Sequence, residues 1–205
     1  MHRKLLLFLV ICQVCIANAQ EKSSLKNAEY VWPADPIVKA KLERWQDQKF
    51  GIIIHWGLYA VPGIIESWAL CSEDWIERDS TVAYEDFKKW YWGLKNDFNP
   101  MNFNPEQWAK AAKAAGMKYL VFTTKHHDGF CLFDTRQSDF KITSGPFGNH
   151  PKADATKHIF EAFRQQDFMI GAYFSKPDWK NPDYWWPKYA TADRNNNYDI
   201  RKYPW

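Results

Sequence analysis

Apolar and polar positions along the chain repeat one pattern three times: a stretch with helical spacing, followed by a short apolar run. The continuous, partly β-branched runs are typical of strands that are buried on both faces of a sheet. The predicted helices cover residues 39–48, 105–115 and 154–166, and the predicted strands cover residues 50–55, 118–123 and 168–174. This alternation of helices with apolar strands predicts an α/β fold with a parallel sheet.

The second predicted helix has clear boundary signals. Asn104 is a suitable N-cap, Pro105 suits the first helical position, and Gly116 ends the helix. Residues 58–104 form a long connection rich in Trp, Tyr and acidic residues, in which we predict one short helix at residues 84–90. Since long loops inside compact domains are usually functional, we expect this connection to contribute to a site.

Residues 1–19 have the features of an export signal. A basic start is followed by the apolar residues 5–12 and by Ala17-Asn18-Ala19, which suits cleavage before Gln20. The apolar run is short for a membrane span, and no later segment approaches the roughly 20 apolar residues that such a span needs. We therefore expect an exported protein (periplasmic, extracellular or in a lysosomal-type compartment) with no membrane span.

Composition narrows the possible partners. The formal net charge of +3 includes the basic residues of the predicted signal, and no Lys/Arg cluster suggests a surface for phosphates, so we expect no nucleic acid partner. Aromatic residues make up 18% of the chain and include 12 Trp. This content suits stacking on sugar rings, although aromatic residues serve protein cores equally well. Composition does not determine the oligomeric state.

Two of the four cysteines, Cys12 and Cys15, lie in the predicted signal, which leaves Cys71 and Cys131. In an oxidising compartment these two could form a disulfide, but two separate thiols are an equally good interpretation. Their spacing matches no zinc motif.

Histidines stand where two predicted strands end, and a tyrosine lies in the third. His55 ends the first strand, His126 and His127 follow the second, and Tyr173 lies near the end of the third. Because the carboxyl ends of parallel strands meet at one edge, we expect these side chains to share a site for a polar ligand. The alternative is that each histidine is a buried structural residue.

A metal site is the other alternative for the histidines. Metal ligands must converge at about 2.1 Å from the ion. Successive side chains on a strand point to opposite faces, so adjacent His126 and His127 are poorly placed to bind one ion together. We therefore expect neither a metal nor another cofactor.

Two sequence blocks resemble the α-L-fucosidases of glycoside hydrolase family 29. Residues 49–59 read KFGIIIHWGLY and precede Val61-Pro62, and residues 123–130 read TTKHHDGF. The resemblance continues through residues 171–175, GAYFS, and covers essentially all of residues 20–205. It implies that these residues are the N-terminal part of a (β/α)8 TIM-like barrel, a fold of about 250 residues when complete.

The resemblance also implies a function and roles for individual residues. The activity is that of an exo-acting α-L-fucosidase, which removes terminal α-L-fucosyl residues from glycans. Histidines 55, 126 and 127 would bind the hydroxyls of fucose, and Tyr173 would contact the sugar or the region of the nucleophile. Neutral imidazoles supply both donors and acceptors for hydroxyls, and an aromatic wall suits the methyl group of this deoxy sugar.

The family places an acidic residue followed by Trp in the loop after the first strand. The nearest match here is Asp74-Trp75, and Glu66-Ser67-Trp68 is a second candidate. The family's acidic residue is usually Glu, and Asp74 is one methylene shorter, so Trp75 is the stronger part of this match. Ordinary packing is the alternative for Trp75 and for Trp68.

A retaining glycosidase needs two carboxyl groups about 5–5.5 Å apart, one as nucleophile and one as acid/base. The family takes its Asp nucleophile from the next strand and its acid/base from farther along, and neither position lies within residues 1–205. The resemblance implies a structural part for Asp128, and Asp178 is the other carboxylate near the strand ends. We therefore expect a fragment that is inactive alone.

Two other functions fit parts of this pattern. A non-catalytic carbohydrate-binding remnant would keep the sugar pocket without the chemistry, and a metal-dependent barrel hydrolase would use the histidines differently. A strand ending in Asp past Trp205 would distinguish an enzyme from the binding remnant. Metal analysis of the folded protein would reveal a metal-dependent hydrolase.

Overall fold

The computed structural model describes residues 31–70 and 77–181 and divides the chain into two compact units, residues 1–46 and 47–205. The predicted export signal and the site candidates Asp74 and Trp75 lie outside the described residues. Within the described ranges, no helix is long and apolar enough to cross a membrane.

The first unit contains helix α1 (Pro36–Gln46). This helix begins three residues earlier than the sequence pattern predicts, because Asp35 caps it: the Asp35 carboxylate accepts hydrogen bonds from the backbone N–H groups of Ile37 at 2.8 Å and Val38 at 3.3 Å. Pro36 then occupies the first helical position, where its missing N–H costs nothing.

The second unit is built on three parallel strands, β1 (Gly51–Ile54), β2 (Tyr119–Lys125) and β3 (Met169–Phe174), with β2 in the centre. In the register, Ile53 lies opposite Val121, which lies opposite Gly171 on the other side. The predicted parallel α/β arrangement is confirmed. Within the described residues, β1 and β3 each pair with β2 and with no other strand.

Three helices connect these strands: α2 (Tyr84–Gly93), α3 (Pro105–Ala114) and α4 (Ala155–Arg164). Asn104 caps α3 through a 3.0 Å hydrogen bond from Gln107 N–H, and Asp154 caps α4 through one from Lys157 N–H, also at 3.0 Å. Helices α3 and α4 pack beside one another and bury small and apolar side chains: Ala109, Ala112, Ile159, Ala162 and Phe163.

A residue with positive φ stands two or three positions before each strand. These residues are Lys49 with φ of 58°, Gly116 with φ of 82° and Asp167 with φ of 62°. The sequence pattern identifies Gly116, because glycine adopts this backbone conformation without steric cost. Lysine gives no such signal and aspartate gives only a weak one, so residue type did not predict the turns before β1 and β3.

Much of the aromatic content serves the core. The Trp56 ring lies 5.2 Å from that of Phe98, 5.3 Å from that of Phe103 and 5.5 Å from that of Trp108. After β1, two 3₁₀ turns, Leu58–Ala60 and Ser67–Leu70, bury Leu58 and Leu70 completely. The long connection is therefore anchored to the core close to the carboxyl end of the sheet.

Candidate functional site

The four residues selected at the strand ends lie together in the structure. The His55 ring centroid is 5.5 Å from that of His126 and 5.3 Å from that of Tyr173. The His126 and Tyr173 rings are nearly parallel, with centroids 5.8 Å apart, and the His126 and His127 rings are 4.4 Å apart. The parallel strands therefore present three imidazoles and one phenol at a single edge of the sheet.

A hydroxyl group orients His55. Its Nδ1 atom lies 2.8 Å from Oγ1 of Thr123, a fully buried residue of β2. Because a hydroxyl can donate or accept, this contact is compatible with either neutral tautomer of the ring. Nε2 is thereby left as the nitrogen that can meet a ligand.

His126 is held in the same way but is more deeply buried, with 3% of its surface exposed. Its Nδ1 atom is hydrogen-bonded to the Ser67 hydroxyl, and its Nε2 atom lies 3.2 Å from Oε2 of Glu66. Ser67 begins the second 3₁₀ turn after β1 (Ser67–Leu70), and Glu66, with a φ of 34°, directly precedes it. The turn therefore brings a carboxylate and a hydroxyl to one imidazole.

His127 faces the aromatic side of the site. Its Nδ1 atom is hydrogen-bonded to the Ser175 hydroxyl, just after β3. Its ring lies 4.7 Å from that of Trp68 and 4.9 Å from that of Trp179, which is 2% exposed. The backbone N–H of Trp179 also donates to the His127 carbonyl at 2.7 Å. Partly buried Trp68 therefore presents an indole next to the polar groups.

Burial keeps the two adjacent histidines neutral. Loss of solvation, together with neighbouring His127 and His55, lowers the pKa of His126 to about 3. Loss of solvation and the charge of Lys125 lower the pKa of His127 to about 4. Burial and the charge of Glu66 raise the pKa of the Tyr173 phenol. Near neutral pH His126 and His127 are therefore uncharged and the Tyr173 phenol is protonated, states that suit hydrogen bonds to hydroxyl groups.

A buried carboxylate supports the turn that contains both histidines. Asp128 is 1% exposed, and it accepts hydrogen bonds from the Tyr91 hydroxyl at 2.8 Å and from Phe130 N–H at 3.0 Å. Burial raises the pKa of Asp128 to about 6 in spite of these hydrogen bonds and of nearby Lys125. These contacts face the protein interior, which is the placement of a structural carboxylate.

The other carboxylate near the strand ends belongs to a separate ion pair. Asp178 lies 3.6 Å from the Nζ atom of Lys125, which is almost fully buried and also donates to the Pro177 carbonyl at 3.1 Å. Beyond Lys125 lies a cavity of about 720 Å³, partly lined by Cys131, Phe133, Phe140 and Phe174. Polar residues such as Lys125 and Asp178 also line this cavity, but the imidazoles at the strand ends converge outside it, so we place the site at the histidines.

The loop candidates divide into two groups. Glu66 and Trp68 lie against the histidines, whereas Asp74 and Trp75 fall outside the described residues. The same holds for Cys71, so the pairing considered for Cys131 involves a residue outside those ranges. Cys131 itself is buried, which raises the pKa of its thiol to about 11.

Sequence reasoning missed several residues that shape the site. Ser67 and Thr123 orient two of the histidines, although they are 59 and 68 positions away along the chain. Buried Tyr59 lies with its ring 5.8 Å from that of His126, and its hydroxyl has no hydrogen-bond partner among the described residues. Ser67 lies between Glu66 and Trp68, and Thr123 is the first residue of the block at residues 123–130; these positions were the only available signal.

One group in the site has the donor types of a metal centre. His55, Glu66 and His126 each offer a ligand atom, and the three atoms lie within 4.8 Å of one another. His127 is not part of this group, so the geometry differs from the adjacent pair that the sequence analysis considered.

Comparison with known proteins gives one consistent family. The family model described as Alpha-L-fucosidase matches residues 17–204. Human plasma α-L-fucosidase is 32% identical over 174 residues, which cover 80% of this chain and 34% of that protein.

Solved structures give the same result. α-L-Fucosidase isoenzyme 1 from Paenibacillus thiaminolyticus is 42% identical with a TM-score of 0.59, and the match covers 78% of this chain and 33% of that one. A Bacteroides thetaiotaomicron α-L-fucosidase of family GH29, trapped as a covalent intermediate in complex with 2-fluoro-fucosyl fluoride, is 31% identical with a TM-score of 0.57. That match covers 77% of this chain and 34% of the other. The chain therefore spans about a third of the length of these relatives.

Proposed function

Because the chain belongs to the α-L-fucosidase family, we propose that it supplies the fucose-binding part of an α-L-fucosidase that acts on terminal α-L-fucosyl residues of glycans. The observation that supports this most directly is the convergence of His55, His126 and Tyr173 beside Glu66 at the carboxyl end of the sheet. The three strands would then be the first part of a (β/α)8 barrel, whose sites lie at that end.

The proposed contacts follow from the chemistry of each group. His55 presents Nε2 to the sugar, and Glu66, which His126 Nε2 holds at 3.2 Å, accepts hydrogen bonds from the sugar's hydroxyls. Trp68 offers an apolar face for the sugar's methyl group and C–H bonds. A site built from donors and acceptors for hydroxyls discriminates strongly against ligands that lack them, because buried polar groups would be left unpaired.

We infer a retaining reaction for the whole enzyme. In a retaining glycosidase one carboxylate attacks the anomeric carbon to form a glycosyl-enzyme, while the second donates a proton to the leaving oxygen and later activates water. The covalent intermediate trapped in the Bacteroides thetaiotaomicron relative is the species that this course produces. The resemblance to the family assigns both carboxylates to positions outside residues 1–205, so this chain contributes recognition and orientation. Residues 1–19 would direct the enzyme to export.

Sugar binding by the chain tests this proposal. Isothermal titration with L-fucose should show binding that His55→Asn and Glu66→Gln each weaken by roughly tenfold or more, since a lost partner leaves a buried polar group unsatisfied. His158→Asn is the matched control, because His158 lies 3.7 Å from Glu161 in an i,i+3 pair on α4. L-Galactose, which carries CH₂OH in place of the methyl group, tests the apolar contact.

Turnover provides the complementary measurement. We expect the 205-residue chain to leave an aryl α-L-fucoside unhydrolysed. Hydrolysis that His55→Ala abolishes would contradict the assignment of both carboxylates to other parts of the enzyme. L-Fucose affinity that is unaffected by the site variants would contradict the proposed binding residues.

A further inference from the structure

We propose that His55, Glu66 and His126 also form a binding site for Zn²⁺, and that zinc and the sugar exclude each other there. The exclusion rests on the proposed function, whereas the zinc site rests on the geometry of the three side chains. Two imidazoles and one carboxylate are a donor set that zinc uses in proteins when a fourth position is left for water or another ligand.

The distances between the donor atoms suit a small four-coordinate ion. With metal–ligand bonds of about 2.1 Å, tetrahedral ligand atoms lie about 3.4 Å apart. His126 Nε2 and Glu66 Oε2 are already 3.2 Å apart, and all three donor atoms lie within 4.8 Å of one another. His55 and Glu66 are only partly buried, so small side-chain rotations can close the longest of these distances.

Both histidines are oriented as metal ligands are. The Nδ1 atom of His55 contacts the Thr123 hydroxyl, and the Nδ1 atom of His126 contacts the Ser67 hydroxyl. Histidines that bind metals usually donate their other ring N–H to an acceptor, which fixes the tautomer and the ring orientation. Each hydroxyl can accept that proton, which leaves the Nε2 lone pair available for the ion.

The cluster combines residues that are distant in the sequence. His55 follows β1, Glu66 lies in the next loop, and His126 follows β2. Within the described ranges it is the one group of three or more His, Cys, Asp or Glu residues with this convergence. By contrast, His158 and Glu161 on α4 offer two ligand types at 3.7 Å without a third.

Zinc titration of the full chain tests the site directly. Untagged protein, freed of metal by chelation, should bind one Zn²⁺ per chain in isothermal titration. His55→Asn and Glu66→Gln should each weaken this binding by roughly 100-fold or more, since even second-shell groups contribute about 10- to 100-fold. Thr123→Val, which keeps the side-chain shape and removes the hydroxyl, should weaken it by about tenfold, and His158→Asn should leave it unchanged.

Co²⁺ provides a structural readout that does not depend on activity. A four-coordinate site should give the intense visible absorption of tetrahedral Co²⁺, and Glu66→Gln should remove this absorption. Circular dichroism of each variant checks that the fold is intact, and the two variants of partly exposed ligands avoid disturbing buried His126. Zinc affinity that is unchanged in both ligand variants, or lost in His158→Asn, would overturn the site.

Titrations that combine zinc with L-fucose distinguish the zinc site from the proposed sugar site. Saturating L-fucose should weaken zinc binding, and zinc should weaken L-fucose binding by the same factor, because linkage between the two ligands is reciprocal. L-Fucose binding without any zinc binding would overturn the zinc site alone. Zinc binding at these residues in a chain that does not bind L-fucose would support the metal site and contradict the sugar site.

Discussion

At the scale of single residues, the site combines neutral imidazoles with an acid that is buried behind them. His126 and His127 stay uncharged because burial opposes their protonation, and burial also holds the pKa of Asp128 above its ordinary value. These three shifts act on stability in different directions, since a base and an acid respond oppositely to loss of solvation.

We predict that the folded state loses stability as the pH is lowered from about 6.5 to about 4. In this window the unfolded histidines bind protons that native His126 and His127, with pKa values of about 3 and 4, do not bind. Each histidine therefore contributes stability that rises with pH by on the order of 1 kcal/mol per pH unit. Native Asp128, with a pKa of about 6, opposes this by binding a proton that the unfolded chain has released.

Urea denaturation at several pH values measures this balance. His127→Asn should flatten the dependence of the unfolding free energy on pH, and Asp128→Asn should steepen it by removing the opposing proton uptake. His158→Asn is the control for replacing a histidine outside the site, because His158 lies on α4 in an i,i+3 pair with Glu161. A free energy of unfolding that stays constant over this range would show that the histidines are solvated and titrate normally.

The residues that could be selected from the sequence were those with an unusual side chain at a strand end. His55, His126, His127 and Tyr173 were found in this way, and the structure places them together. Glu66 and Trp68 were the second choice in the loop, and their positions depend on a turn whose backbone the residue types do not reveal. Ser67 and Thr123 could not be selected, because a hydroxyl becomes functional only through the partner that the fold gives it.

At the scale of helices and strands, the fold follows from apolar periodicity and from capping residues. All the predicted helices and strands are present, with ends that shift by a few residues where a cap such as Asp35 or a strand pairing decides the boundary. Strand β2 runs two residues past its predicted end, to Lys125, because pairing with β3 continues there through a register shift. The apolar pattern does not predict this extension, because the last residues of the strand are polar.

Two glycine substitutions test how much backbone conformation contributes at an element boundary. Gly116→Ala should destabilise the fold by about 1 kcal/mol, because its φ of 82° is costly for a residue with a Cβ atom. The added methyl group meets no atom within 4 Å, so this cost would be purely conformational.

Gly93→Ala is the matched control for that change. This glycine lies in the right-handed helical region with φ of −66°, and a methyl group there also meets no atom within 4 Å. Gly93→Ala should therefore stabilise the fold by roughly 0.5–1 kcal/mol. Chemical denaturation of both variants measures the difference, and equal effects would show that φ does not determine the cost.

At the scale of the whole molecule, the sheet of three described strands has two edges, and no described strand pairs with either edge. Strands β1 and β3 pair only with β2 within the described residues, and each has a large apolar side chain exposed, Ile53 at 54% and Phe174 at 56%. Phe174 also lines the cavity beside Lys125. In the barrel that we propose, further strands would cover both of these positions.

We predict that the 205-residue chain self-associates through these strands when it is expressed alone. Unpaired edges with exposed apolar side chains favour pairing with another chain, and a charge placed on such an edge opposes it. Ile53→Lys and Phe174→Lys should each shift the chain toward the monomer in size-exclusion chromatography with light scattering. Ile65→Lys is the control, because Ile65 is 60% exposed but lies in a loop. Equal effects of all three would indicate nonspecific hydrophobic association.

The residues with positive φ before the strands show how a helix–strand repeat can keep its backbone conformation without sequence similarity. Lys49, Gly116 and Asp167 share no chemistry, yet each has a positive φ two or three residues before one of the three strands. If the units descend from one duplicated ancestor, side-chain identity has diverged while the path of the main chain has been retained. A search for ancient duplication in this chain would therefore do better to align torsion angles than amino acids.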